Sequence, residues 1–301
     1  MKNIIRWLMG RFGYDIMKTN VPFRFKSKKP GTVDVRGYSI LMPGNNPLLT
    51  TYTIYPLYND SFHRLSGLLL AKYPSMTALD VGANVGDTIA VLKSVGDMTV
   101  IGIEGDKVSF QFLETNIRQF SKVRAINAFL SDKPATIKAN LERSGWNTAI
   151  VPDETGAAVV NMETLDEIGL KNGFDNLMIK LIKIDVEGFD TIVLRGATGI
   201  MSRHKPVLFF EYNLQAMQAI NEEGLPTVLA LKDAGYDRVA FLDHHGRFIL
   251  STQLDNTDII SSLHRYASSD KSLLGYFDIC AFHSEDSDLA AAYFKKEQDF
   301  L

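Results

Sequence analysis

Two stretches of this chain gather residues that can do chemistry together. The first is a glycine loop, Asp80-Val81-Gly82-Ala83-Asn84-Val85-Gly86-Asp87, and the second is Lys183-Ile184-Asp185-Val186-Glu187-Gly188. A further acid stands in Glu211-Tyr212-Asn213. Carboxylates at the ends of apolar runs can take a proton from a hydroxyl. Close carboxylates also repel, so one of Asp185, Glu187 and Glu211 can have a raised pKa and serve as general base. Lys183 beside them can instead keep them ionised. Two other readings stay open for the same residues. Asp185, Glu187 and Glu211 offer the oxygen ligands that suit Mg2+, which would lower an acceptor's pKa. Alternatively they form a structural ion-pair network with Lys183.

Placing these residues requires strands that end where the acids begin. Ala78 to Val81 is a buried strand, Gly82 to Gly86 a tight loop, and Asp87 to Leu92 a helix start. In open α/β sheets this first strand-to-helix turn lies at the carboxyl edge, where ligands bind. Gly82 permits the turn and lets a ligand approach the backbone. Asp87 suits the positive end of the helix and leaves little room for a diphosphate. A dinucleotide loop needs Gly-x-Gly-x-x-Gly, and Asn84 occupies its second glycine position. A second strand, Met98 to Glu104, ends in an acid 18 positions beyond Gly86, where a ribose-binding carboxylate belongs. The third, Val123 to Leu130, carries Asn127 and Ala128 near its end as candidates beside an adenine. Strand alternation puts Lys183, Asp185 and Glu187 on one face and Ile182, Ile184 and Val186 on the other.

The remaining elements are read more coarsely. Thr32–Val35 and Tyr38–Met42 are short strands in a lead-in rich in turns, and Ser66 to Tyr73 is a helix. Ala135 to Arg143 and Ala157 to Met162 form an inserted hairpin, with Trp146 in a polar turn between them. Late strands at Arg238–Leu242 and Phe277–His283 complete the sheet. Residues 1–60 are assigned to a basic amphipathic helix and lead-in, and 61–301 to the main domain.

Composition excludes several classes. The chain is 301 residues long, 46% hydrophobic and of net charge −3, ordinary for a globular protein. The single Cys280 rules out an internal disulfide framework and fits a reducing, cytoplasmic setting. None of the six histidines has zinc spacing; His63 and His244 stay as further candidate bases. Charge is uneven: the first thirty residues carry eight basic side chains against Asp15 alone. With Ile5, Leu8, Met9, Phe12 and Ile16 at helical spacing, this segment suits packing on the domain, a homodimer contact, or peripheral attachment to the anionic inner face of a membrane. The acidic remainder argues against nucleic acid as a partner.

Asp-x-Gly-x-Asn-x-Gly with an acid at Asp80 resembles the first motif of class I S-adenosylmethionine-dependent methyltransferases. With Glu104, Lys183-Ile184-Asp185-Val186-Glu187-Gly188, Leu194-Arg195-Gly196-Ala197 and Glu211-Tyr212-Asn213 in this order, residues 50 to 215 resemble the FkbM-type methyltransferases. The resemblance implies a Rossmann-like, seven-stranded, mostly parallel sheet with helices on both faces. It also implies S-adenosylmethionine as cofactor, bound by Asp80, Gly82, Ala83, Asn84, Gly86, Asp87 and Glu104, and O-methylation of a small-molecule, sugar or glycan acceptor. Gly105-Asp106 departs from the proline expected after the ribose acid, and Asp190 stands where the family often has Glu. Two other classes are kept: a nicotinamide oxidoreductase, which Asn84 disfavours, and a catalytically silent partner domain in polysaccharide assembly.

Overall fold

The computed structural model describes residues 29–144, 147–153, 155–269, 272 and 274–300. The basic amphipathic segment and Trp146 lie outside the described residues. Fourteen strands are formed among the described residues. The first five are β1 (Gly31–Val35), β2 (Tyr38–Met42), β3 (Thr77–Val81), β4 (Thr99–Glu104) and β5 (Val123–Asn127). Then come β6 (Phe129–Leu130), β7 (Ala135–Ser144), β8 (Asn147–Pro152), β9 (Ala158–Glu163) and β10 (Ile179–Ile184). The last are β11 (Val207–Tyr212), β12 (Tyr236–Asp243), β13 (Phe248–Gln253) and β14 (Phe277–His283). The helices are α1 (Leu48–Ile54), α2 (Asp60–Lys72), α3 (Asp87–Val95), α4 (Lys107–Asn116), α5 (Leu165–Lys171) and α6 (Asp190–Arg195). They continue with α7 (Thr198–His204), α8 (Leu214–Ala219), α9 (Leu225–Ala230), α10 (Thr257–Ala267) and α11 (Ser287–Gln298).

The main sheet runs β13-β12-β14-β11-β10-β3-β4-β5. β11, β10, β3, β4 and β5 are parallel, while β14, β12 and β13 add antiparallel neighbours. It has eight strands rather than the expected seven, because Phe248–Gln253 folds back on β12 as an edge strand. The parallel strands read as near-continuous apolar runs because both faces are covered. Their side chains alternate between two cores. Ala78, Leu181 and Val207 pack with α2, α3 and α11 residues, whereas Leu79, Ile182 and Leu208 pack against α5 to α7. β3 leads outward to β4 and β5, and β10 leads the other way to β11. The strand order therefore reverses between β3 and β10, where a crevice opens at the carboxyl ends.

The expected hairpin is part of a separate four-stranded sheet, β6-β9-β7-β8. Val123 to Leu130 is accordingly not one strand: Asn127 ends β5, and Phe129 crosses to pair with Met162 in the second sheet. The lead-in strands β1 and β2 pack into the same core as Ile89 and Val100. Asn116 ties them down, its side chain bonding both Leu41 backbone groups and the Val85 carbonyl.

Candidate active site

A cleft opens over the carboxyl ends of β3, β4, β10 and β11 and the start of the antiparallel β14, and both signature stretches reach it. The glycine loop is fixed by backbone geometry. Gly82 has φ +76°, and a Cβ there would stand 1.8 Å from the Asp185 carbonyl oxygen. Only glycine lets the β3 and β10 turns touch. Asn84 is also left-handed, at φ 47°, a conformation asparagine tolerates.

Glu104 ends β4 and faces the cleft. One oxygen accepts the Asn84 N–H at 2.8 Å and the other the Asp106 N–H at 2.7 Å. Burial nevertheless pushes its carboxyl up to about 7. Each oxygen has a second lone pair, and together they make the acceptor pair that the two O–H donors of a vicinal diol require. Gly105 replaces the expected proline for a local reason: the Phe129 ring occupies the space of its Cβ, 2.1 Å away. Phe129 and Ala128 line the same wall.

Asp87 is buried at the N-terminus of α3 and accepts the Tyr52 hydroxyl at 2.9 Å. Burial raises its carboxyl to about 6. A carboxylate already fills this helix terminus, as the sequence predicts, in the place a diphosphate would need.

Not every expected ligand residue reaches the cleft. Asp80 is wholly buried, accepts the Thr88 hydroxyl, and lies 3.5 Å from Lys183 on the neighbouring strand. It braces the loop from beneath. Ala83 and Gly86 shape the turn without lining the cleft, and the Asn127 amide bonds the Glu104 and Gly105 carbonyls at 2.7 and 3.0 Å.

At the other end, Lys183 bonds Asp185 at 3.2 Å and pairs in register with Asp80. Its burial opposes the charged form, but Asp185, Asp80 and Asp87 together hold the ammonium above its ordinary value. Strand alternation carries Lys183 and Asp185 to the cleft but stops there. The chain turns through Glu187 (φ 54°) and Gly188 (φ 91°), and this turn brings Glu187 to the cleft wall. Asp190 staples the turn, its two oxygens accepting the Val186 and Gly188 N–H groups at 3.2 and 3.1 Å.

Glu211, from β11, faces the same space. Burial, with Asp185 nearby, raises its carboxyl well above the usual range. Among the described residues, no group of three His, Cys, Asp or Glu side chains is placed to hold a metal ion. The Mg2+ reading of Asp185, Glu187 and Glu211 is therefore without a ligand set here. His244 lines the cleft, but His63 does not.

Sequence reasoning missed Asp278, Tyr58 and Tyr276, all cleft-lining. The one available signal was an acid between Phe277 and Ile279 in an otherwise apolar strand.

The methyltransferase FkbM domain family matches residues 80–238. No curated protein matches the chain. A crystal structure of an FkbM methyltransferase from Methylobacillus flagellatus is similar at 16% identity, TM-score 0.43, over 68% of this chain and 43% of that one. The chain thus spans less than half the length of that relative. A methyltransferase described as SAM-dependent, from Aquifex aeolicus, is 12% identical over 75% and 92% of the two chains, TM-score 0.37. The Pyrococcus abyssi tRNA (uracil-54, C5)-methyltransferase, solved with S-adenosyl-L-homocysteine, is 13% identical over 88% and 48%, TM-score 0.39. With more than half its length in the family match, the chain belongs to the FkbM-domain methyltransferases.

Proposed function

We propose that this protein methylates a hydroxyl of a sugar, glycan or natural-product acceptor. The supporting observation is one cleft with two chemically different ends. Glu104 offers a diol-accepting carboxylate at one, and Asp185 and Glu211 offer proton-accepting carboxylates at the other. S-adenosylmethionine, when bound, supplies a methyl group activated by its sulfonium. Glu104 would hold its ribose hydroxyls, the Gly82–Asn84 backbone would border its amino-acid portion, and Ala128 and Phe129 would flank its base.

Glu211 and Asp185 orient the acceptor hydroxyl and receive its proton. Lys183 holds Asp185 in place through their hydrogen bond. Holding the oxygen against the methyl group supplies much of the rate, and the base adds about 10² to 10⁴. Calorimetry with S-adenosylhomocysteine, with NAD as control, tests the donor end. Micromolar binding of the first alone is expected; binding of NAD alone would revive the oxidoreductase reading. Labelled methyl transfer to hydroxyl rather than amine acceptors tests the other end.

A further inference from the structure

Strand order serves as a ruler across this cleft. Neighbouring strands lie about 4.8 Å apart. From Glu104 on β4, the sequence β3, β10, β11, β14 therefore places Asp278 about 19 Å away. The donor's sulfur is one methylene from its ribose, so its methyl group reaches over β3 and β10 and not beyond. The floor made by β11 and β14 is left for the acceptor. On that floor Glu211 and Asp278 are direct antiparallel partners and both line the cleft. In-register neighbours hold their Cβ atoms about 4.5–5.5 Å apart, so their carboxylates can take two adjacent hydroxyls.

The polar groups on this floor are little used by the protein itself. The Asp278 carboxyl accepts no hydrogen bond from any described residue, and the Glu211 carboxyl receives only a long one, 3.4 Å from Asn213. His244, held over the cleft by the turn in which Asp243 accepts the His245 and Arg247 N–H groups, has a buried Nδ1 without a partner among the described residues. Its ring lies against Tyr276 at 5.8 Å, and both line the cleft. The charged groups around Asp278 are Glu211, Asp185, Asp243 and Lys183, so acids outnumber the one cation.

We propose that Asp278 is an acceptor-binding residue: with Glu211 it grips a vicinal diol that carries no negative charge, one hydroxyl reacting while Asp278 holds its neighbour. This deepens the hydroxyl-methylation reading and rests on it. In the reaction the acceptor oxygen forms the new O–CH3 bond and gives its proton to the carboxylate at Glu211 or Asp185. The electron pair of the broken S–CH3 bond stays on sulfur, leaving a neutral thioether. Asp278 changes no bond. Burial raises its carboxyl to about 8, which suits a group able to donate as well as accept near neutral pH.

The test uses the full chain loaded with S-adenosylhomocysteine and ligand-detected NMR. The probes are neutral methyl hexopyranosides, their mono-deoxy counterparts and methyl glucuronide. In the wild type, a neutral glycoside should bind about tenfold tighter than its deoxy counterpart and than the glucuronide. Asp278→Ala should bind parent and deoxy probes alike, and Asp278→Asn, which keeps the shape, should bring the glucuronide closer to the neutral probe. Both variants should bind S-adenosylhomocysteine as the wild type does. An unchanged deoxy penalty in Asp278→Ala, glucuronide bound as tightly as the neutral probes, or no glycoside bound at all would overturn the assignment. S-adenosylhomocysteine failing to bind the wild type would overturn the donor reading and this one with it.

Discussion

The two ends of the cleft are built on opposite terms. At the β3–β4 end every group that shapes the site is held by the protein: Glu104 by two backbone N–H groups, Asp87 by Tyr52, and Gly82 by contact with the Asp185 backbone. At the β11–β14 end Glu211 and Asp278 face each other with little to satisfy them. A site whose polar groups are already partnered is preorganised for one fixed ligand. Poorly partnered, largely desolvated carboxyls are costly, and such groups concentrate where function needs them. On the proposed function, the contrast separates a constant donor end from an acceptor end that a ligand would complete.

The comparison can be broken most forcefully at Asp185. Asp185→Asn is expected to lower methyl transfer by about 10² to 10⁴ while changing S-adenosylhomocysteine affinity little. Single-turnover rates beside calorimetric titrations check this, and an unchanged rate would remove Asp185 from the chemistry. Gly82→Ala attacks the other end through the backbone. Its Cβ would overlap the Asp185 carbonyl at a positive φ, so a loss of at least about 3 kcal/mol of stability is expected, read from denaturant unfolding. A fully stable variant would mean the two turns can separate.

Glu104→Ala should weaken S-adenosylhomocysteine about tenfold to a hundredfold through the lost diol contacts, leaving the acceptor end intact. Unaltered affinity would place the ribose elsewhere. The smallest effect is in pH. Glu104 and Asp278 have folded-state values of about 7 and 8, above their ordinary 4.5 and 3.8. Between those values the folded state holds protons that the unfolded chain has released, so stability falls as pH rises. The Tm of the ligand-free protein should decline from about pH 5 to pH 8, and Asp278→Asn should flatten the upper part of that decline. A Tm that climbs across this range would contradict the buried-acid picture.

Much of the donor end was legible because it is local. Spacing within one strand-loop-helix unit links Gly82, Asn84 and Asp87, and Glu104 ends the next strand. The place of Asp80 was not legible, because an acid at a strand end reads the same whether it faces a ligand or, as here, Thr88 and Lys183 beneath the loop. Glu187 reaches the cleft wall, but through a left-handed turn that strand alternation does not describe. Asp278 was invisible as a site residue: 67 positions separate it from Glu211, and only antiparallel pairing joins them.

By itself the sequence determined the α/β class, the glycine turn, the carboxylates at strand ends and the family to which they belong. These depend on side-chain periodicity and on backbone conformations that few residues permit. Tertiary structure decided which acids share a face of the sheet, that an eighth strand closes its edge, and that the Phe129 ring requires Gly105. Those outcomes depend on which strands become neighbours, and pairing between distant segments leaves no periodic mark in the chain.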